Sequence, residues 1–174
     1  MIVETNMAPF SQPVLELAEL LGTHLRQRGW TCATAESCTG GGIGYAITSI
    51  AGSSDYFMGG IISYSNAAKA QLLGVRQQTL ERVGAVSPEC AVEMANGVRN
   101  AVGVDLGIAS TGIAGPGGAT ARKPVGLVYV AVSWPDGVEV RELSLSGTRA
   151  EIMQQSIHDA LALTARILGT TLPD

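Results

Sequence analysis

Residues 34–42, TAESCTGGG, place four chemically capable side chains in consecutive positions. Glu36, Ser37, Cys38 and Thr39 supply a carboxylate, two hydroxyls and a thiol, and three glycines follow at once. A hydroxyl or thiol at a helix start stands beside unpaired backbone N–H groups and the positive end of the helix dipole. That setting suits a nucleophile and the oxyanion its attack creates. Gly40, Gly41, Gly42 and Gly44 let a ligand approach the backbone, at a helix-propensity cost of up to ~1 kcal/mol each. Tight packing of a helix on a sheet accounts for the same glycines equally well.

A second cluster is SYSNAAK, residues 63–69. Asn66 is expected to cap a helix and to set Lys69 in its first turn. There the helix dipole and partial burial both disfavour a protonated amine, and a neutral lysine can accept a proton. Tyr64 could donate or relay a hydrogen bond. Taken alone, a strand-end tyrosine in water and a solvated lysine explain the same residues. The third cluster, STGIAGPGGATARKP at 110–124, follows a predicted strand ending at Ser110 and Thr111. Gly112, Gly115, Gly117 and Gly118 free its backbone N–H groups to cradle a phosphate or carboxylate. It lacks the Gly-Lys-Ser/Thr ending of a Walker loop and is no dinucleotide fingerprint.

If the three clusters meet, they suit acyl transfer: Ser37 attacks a carbonyl, Lys69 takes its proton, and backbone amides hold the oxyanion. Cys38 is the rival nucleophile, a small buried thiol being its plainer reading. His24 and His158 sit in amphipathic helices without a nearby acid–thiol pair, and a surface or interface histidine is their plainer reading. The cysteines, Cys32, Cys38 and Cys90, have no metal-ligand spacing, and no metal or cofactor is expected.

The elements that must position these groups follow from periodicity and punctuation. A helix is predicted over 11–29, capped by Ser11, and a buried strand over 31–35. Ile43, Ala46, Ile47 and Ile50 mark a helix closed by Gly52. A strand over 59–65 and a short helix over 66–73 come next. Ser87-Pro88-Glu89 opens a longer helix. Strands are predicted over 105–112, 125–134 and 138–145, the last two forming a hairpin about Pro135-Asp136-Gly137. Thr148 and Glu151 form a capping box for a final helix, with Met153, Ile157, Ala160, Leu161 and Leu168 on its buried side. This alternation implies an α/β fold, one mixed sheet with helices on both faces. The three clusters then leave the ends of consecutive strands, where open α/β sheets bind ligands.

The chain has 174 residues, 46% of them apolar and 5% aromatic. It is read as one domain over 1–174, with 1–11 a flexible N-terminal extension, and such a length buries about two-thirds of the unfolded surface. Net charge is −4 with no run of Lys or Arg, so nucleic acid is not expected as a partner. No segment approaches the ~20 apolar residues of a membrane span. Free cysteines and the absence of signal-peptide features point to the cytoplasm.

The stretches TAESCTGGGIGYAITSIAGSSDYFMGGIISYSNAAKAQLLGV, GAVSPECAVEMANGVR, STGIAGPGGATARKPVGLVYVAV and LSGTR resemble the CinA C-terminal-domain family, in the same order and over residues 12–168. The resemblance implies a three-layer α/β/α domain on a five-stranded mixed β-sheet. It also implies a nicotinamide-nucleotide amidohydrolase, which converts nicotinamide mononucleotide to nicotinic acid mononucleotide and ammonia in pyridine-nucleotide recycling. The family's nucleophile falls on Ser37, its lysine base on Lys69 and its assisting tyrosine on Tyr64. Thr39, Gly40, Gly41, Asn66, Thr111, Gly112, Gly115, Gly117, Gly118 and Arg149 are the expected substrate-binding positions, with Arg149 and loop amides the candidates for the phosphate. Two positions depart from the pattern: Thr148 replaces an acid, and Met153 stands where a second arginine is usual. Longer members carry an additional N-terminal domain, whose functions are not carried over. A non-catalytic nucleotide-binding or regulatory module using the same site is the alternative. A homo-oligomer is expected, a dimer in the simplest case.

Overall fold

A computed structural model describes residues 9–169. Its sheet has the order β2-β1-β3-β4-β5, with β1 (Cys32–Glu36), β2 (Phe57–Ile62) and β3 (Leu106–Gly112) parallel. The strands β4 (Leu127–Trp134) and β5 (Gly137–Ser144) complete it antiparallel. α1 (Gln12–Arg28), α2 (Gly42–Thr48) and α6 (Arg149–Ile167) cover one face. α3 (Asn66–Leu73), α4 (Gln77–Arg82) and α5 (Pro88–Val102) cover the other. The expected three-layer α/β/α domain on a five-stranded mixed sheet is therefore present.

The two faces of the sheet are built from different residues. Leu106, Ile108, Val128, Val130 and Val132 point toward α1, α2 and α6. Ala33, Ala35, Ala109 and Ala131 point toward α5. These small side chains let the α5 backbone lie close to the strands, so close that a Cβ on Gly107 would stand 2.2 Å from the Ala95 carbonyl oxygen. Each fully buried Leu or Ile stabilises this arrangement by about 1.5–3 kcal/mol.

Register decides where the chemistry gathers. Glu36, the last residue of β1, pairs with Ile62 of β2 and Ser110 of β3, so the three parallel strands finish at one edge. Leu127 pairs with Ser144 at that same edge, which delivers the start of α6 there as well. Four chain segments thus converge on one end of the sheet.

Several boundaries differ from expectation. β2 covers 57–62 rather than 59–65, because pairing with β1 ends at Ile62. α2 stops at Thr48, and a 3-10 turn over Ser53–Asp55 follows the Gly52 position. α4 was not anticipated; it buries only Thr79 and Leu80, too few to show a period. Ser11 has extended dihedrals but makes no side-chain cap. Of the expected extension, residues 1–8 lie outside the described residues. Phe10 belongs to the core, edge-on to Tyr45, so the anchored chain begins earlier than expected. No described helix is long and apolar enough to cross a membrane.

Candidate active site

Ser37 is the first residue beyond β1, and its N–H donates to the Ser110 carbonyl at 3.0 Å. This bond ties the turn to the neighbouring strand. Lys69 comes from the adjacent helical layer, on α3. Ser65, not Asn66, caps that helix: its hydroxyl accepts from the Ala68 N–H at 3.1 Å. Asn66 is the first helical residue, which moves Lys69 one place further in and turns its side chain under the sheet edge.

Lys69 Nζ stands 3.0 Å from Ser37 Oγ and donates to the Ser63 carbonyl at 2.7 Å. The lysine is only 1% exposed, and among the described residues no carboxylate pairs with it. Burial pushes its pKa below the ordinary 10.5; the nearby thiols of Cys90 and Cys38 oppose this more weakly. In the neutral form the amine keeps its bond to Ser63 and offers a lone pair to the Ser37 hydroxyl proton.

The helix start behind Ser37 is arranged differently from expectation. The Glu36 side chain folds back and accepts from the N–H groups of Gly41 at 3.1 Å, Ile43 at 2.9 Å and Gly44 at 2.8 Å. It also accepts from Thr39 Oγ1 at 2.7 Å. The amides at the start of α2 are thus committed to the protein's own carboxylate. Gly40 and Gly42 N–H groups close turns onto Ser37 and Thr39. On the turn itself that leaves the N–H groups of Cys38 and Thr39, which bond no other residue among the described residues, the Cys38 N–H facing its own thiol. They, not the helix amides, can serve an oxyanion.

A cavity of about 200 Å³ opens in front of the dyad. Ser37, Tyr64, Asn66, Lys69, Thr111, Gly112 and Arg149 all line it. Tyr64 does not bond Ser37 or Lys69; its hydroxyl accepts from Arg149 Nη2 at 2.9 Å and keeps its own proton to donate. Arg149 Nη1 donates to the Gly115 carbonyl at 2.8 Å, so one guanidinium ties the third loop to the tyrosine. Thr111 turns its hydroxyl to the Ala85 carbonyl at 2.8 Å and thereby holds a wall of the cavity.

Other expected substrate positions lie elsewhere. Thr39 is buried beneath the turn, between Glu36 and Ser110. Gly40 and Gly41, with φ of 61° and 100°, shape the turn and do not face the cavity. Gly117 and Gly118 are exposed in the third loop, away from the pocket. Conversely, Ala85 and Val86 supply apolar wall outside the three clusters, and Ala114, inside the third, adds to it. Cys38 also lines the cavity, but burial pushes its thiol up to about 11. Thr148 completes the predicted capping box with Glu151, and Met153 packs half-buried against the core.

A larger cleft of about 520 Å³ lies between α3 and α5. Arg76 and Glu93 pair with each other there, and none of its lining residues forms a nucleophile–base pair. No group of three or more His, Cys, Asp or Glu among the described residues is placed to hold a metal ion.

A sequence model of the CinA C-terminal domain matches residues 14–168. A CinA-like protein of Rippkaea orientalis is 51% identical over 148 residues, covering 84% of this chain and 36% of the relative. One of Thermosynechococcus vestitus is 50% identical over 155 residues, covering 87% and 37%. The chain thus spans little more than a third of these relatives. Among solved structures, the competence/damage inducible protein CihA of Agrobacterium tumefaciens superposes with a TM-score of 0.90 at 40% identity, covering 94% of this chain and 100% of that one. The competence damage-inducible protein A of Klebsiella pneumoniae gives 0.87 at 32% identity, covering 91% and 99%. Matched by the family model over residues 14–168 and by these relatives and solved structures, the chain belongs to the CinA C-terminal-domain family.

Proposed function

We propose that this domain is a metal-independent amidohydrolase that converts nicotinamide mononucleotide to nicotinic acid mononucleotide and ammonia. The observation that carries the reading is the 3.0 Å approach of a buried, carboxylate-free Lys69 to Ser37. Neutral Lys69 accepts the Ser37 proton as Oγ bonds to the carboxamide carbon. The resulting oxyanion takes the N–H groups of Cys38 and Thr39. Collapse breaks the C–N bond, and the Lys69 ammonium returns its proton to the departing nitrogen, which leaves as ammonia. Water then attacks the Ser37 ester with Lys69 again as base, releasing the carboxylic acid and restoring the serine. Tyr64, held by Arg149, keeps a hydroxyl proton to offer the substrate, and Arg149 lines the cavity as the candidate for the substrate phosphate.

The decisive assay is ammonia release from the mononucleotide by the purified protein. Tight calorimetric binding without ammonia would establish a binding or regulatory module instead. A Cys38 nucleophile predicts that Cys38→Ser is inactive and Ser37→Ala active. Its thiol, pushed up to about 11 by burial, argues against that outcome.

A further inference from the structure

Glu36 takes part in no step of the reaction above, yet it is 1% exposed and has no cationic partner among the described residues. Burying a carboxylate is costly unless hydrogen bonds replace its water. Four donors replace it: three backbone N–H groups at the start of α2 and the Thr39 hydroxyl. A local Ser or Asp cap would satisfy such a helix without burying a charge six residues upstream of it. What the longer reach adds is a closed loop around the nucleophile. The backbone of Glu36 is locked in β1, and its carbonyl accepts from the Ser63 N–H at 2.9 Å. Its carboxylate grips the far side of the turn at Thr39 and Gly41. Thr39 Oγ1 also lies 2.6 Å from Ser110 Oγ on the next strand.

The turn over 37–39 is consequently held at both ends. Because Glu36 occupies the α2 amides, the turn itself offers an anion forming at Ser37 the N–H groups of Cys38 and Thr39. We propose that Glu36 is a positioning residue that shapes the oxyanion site of the Ser37 turn, an assignment that rests on the hydrolase reading. It touches no reacting atom and acts through the orientation of two backbone amides.

The test is Glu36→Gln, assayed by ammonia release from nicotinamide mononucleotide with kcat and KM determined separately across pH. The amide keeps the shape but turns an N–H₂ toward backbone N–H groups that need an acceptor. Loss of one oxyanion donor costs about 10²–10³ in kcat, so a fall of about a hundredfold is expected, with KM within about threefold. The rise of kcat with pH, set by Lys69, stays where it is in the wild type. Thr39→Val retains the carboxylate but releases the turn, and a fall of about tenfold with the same unchanged KM is expected. A folded Glu36→Gln protein with kcat within about threefold of wild type overturns the assignment. So does a shifted pH profile, or a loss carried by KM. Should Glu36→Gln fail to fold, Thr39→Val decides by the same criteria. An inactive wild type removes the hydrolase reading and this assignment together; an active wild type leaves only the assignment at stake.

Discussion

Ser37 and Lys69 meet at 3.0 Å from adjacent layers of the domain, one at the end of β1 in the sheet and the other inside α3. Their meeting depends on two backbone anchors. Ser37 N–H is held by the Ser110 carbonyl, and Lys69 Nζ by the Ser63 carbonyl. The second anchor matters chemically. It occupies one N–H of the amine and leaves its lone pair toward the serine, so the base is aimed before substrate arrives.

Ser37→Ala removes the nucleophile and little else, since the side chain is small and its hydroxyl, among the described residues, bonds only Lys69. Turnover is expected to fall by about 10⁴-fold or more, as when a nucleophile is deleted from other acyl-transfer sites. Circular dichroism and the thermal midpoint should match wild type. Single-turnover ammonia measurement provides the check, and residual activity within tenfold of wild type would falsify the assignment.

Lys69 links catalysis to stability with a definite sign. The unfolded chain binds this proton up to about the ordinary 10.5, whereas burial lowers the value in the folded state. Between the two values the unfolded state holds more protons, so stability rises with pH across that window. Below the folded value both states are protonated, and the fold bears the full cost of an unpaired ammonium. Lys69→Met should flatten this slope in urea midpoints measured from neutral pH to 10.5, and should raise stability at its lower end. The same variant should lose at least about 10³-fold in kcat. In the wild type, kcat should climb with pH through the lowered value.

How much of this was readable beforehand differs element by element. Ser37, Tyr64 and Lys69 could be placed together because parallel strands force their following loops to one edge. The cap of α3 was ambiguous, because Ser65 and Asn66 are adjacent residues with equal capping ability. Dihedrals chose between them. The role of Glu36 was hidden for another reason: its backbone partners lie five to eight residues ahead, across a turn that no local cap pattern spans. The cavity wall at Ala85 and Val86 depends on Thr111 reaching across 26 positions, a tertiary bond with no local signature. Glycine content could not separate turn from pocket in the third loop, where Gly112 faces the cavity and Gly117 does not.

Arg149 bridges Tyr64 and the Gly115 carbonyl at the cavity rim, and it reaches both without the acid that usually precedes it. Arg149→Ala should raise KM for nicotinamide mononucleotide by about tenfold or more, the equivalent of one lost charge-assisted contact of ~1.4 kcal/mol. The riboside lacking the phosphate should respond much less. Equal losses for both substrates would show that the arginine orders the loop rather than meeting the phosphate. Arg149→Lys should recover little, because a point charge cannot span the two acceptors.

Gly97 connects packing to catalysis at a distance. On α5 it lies against the end of α3, where an added Cβ would stand 2.0 Å from the Leu73 carbonyl oxygen and 2.8 Å from its carbon. Both contacts are backbone, so no side-chain rotation relieves them and α3 must move as a body. Gly97→Ala should therefore destabilise the domain by about 1–3 kcal/mol or more, lowering the thermal midpoint by roughly 2–4 °C per kcal/mol. The same shift carries Lys69 away from Ser37 and the Ser63 carbonyl, so kcat of the folded variant should fall as well. Gly117→Ala is the comparison: its Cβ would meet nothing within 4 Å, and its thermal midpoint should match wild type. If Gly97→Ala lowered the midpoint yet left kcat untouched at a temperature where the variant is folded, α3 would not be the element that aims the base.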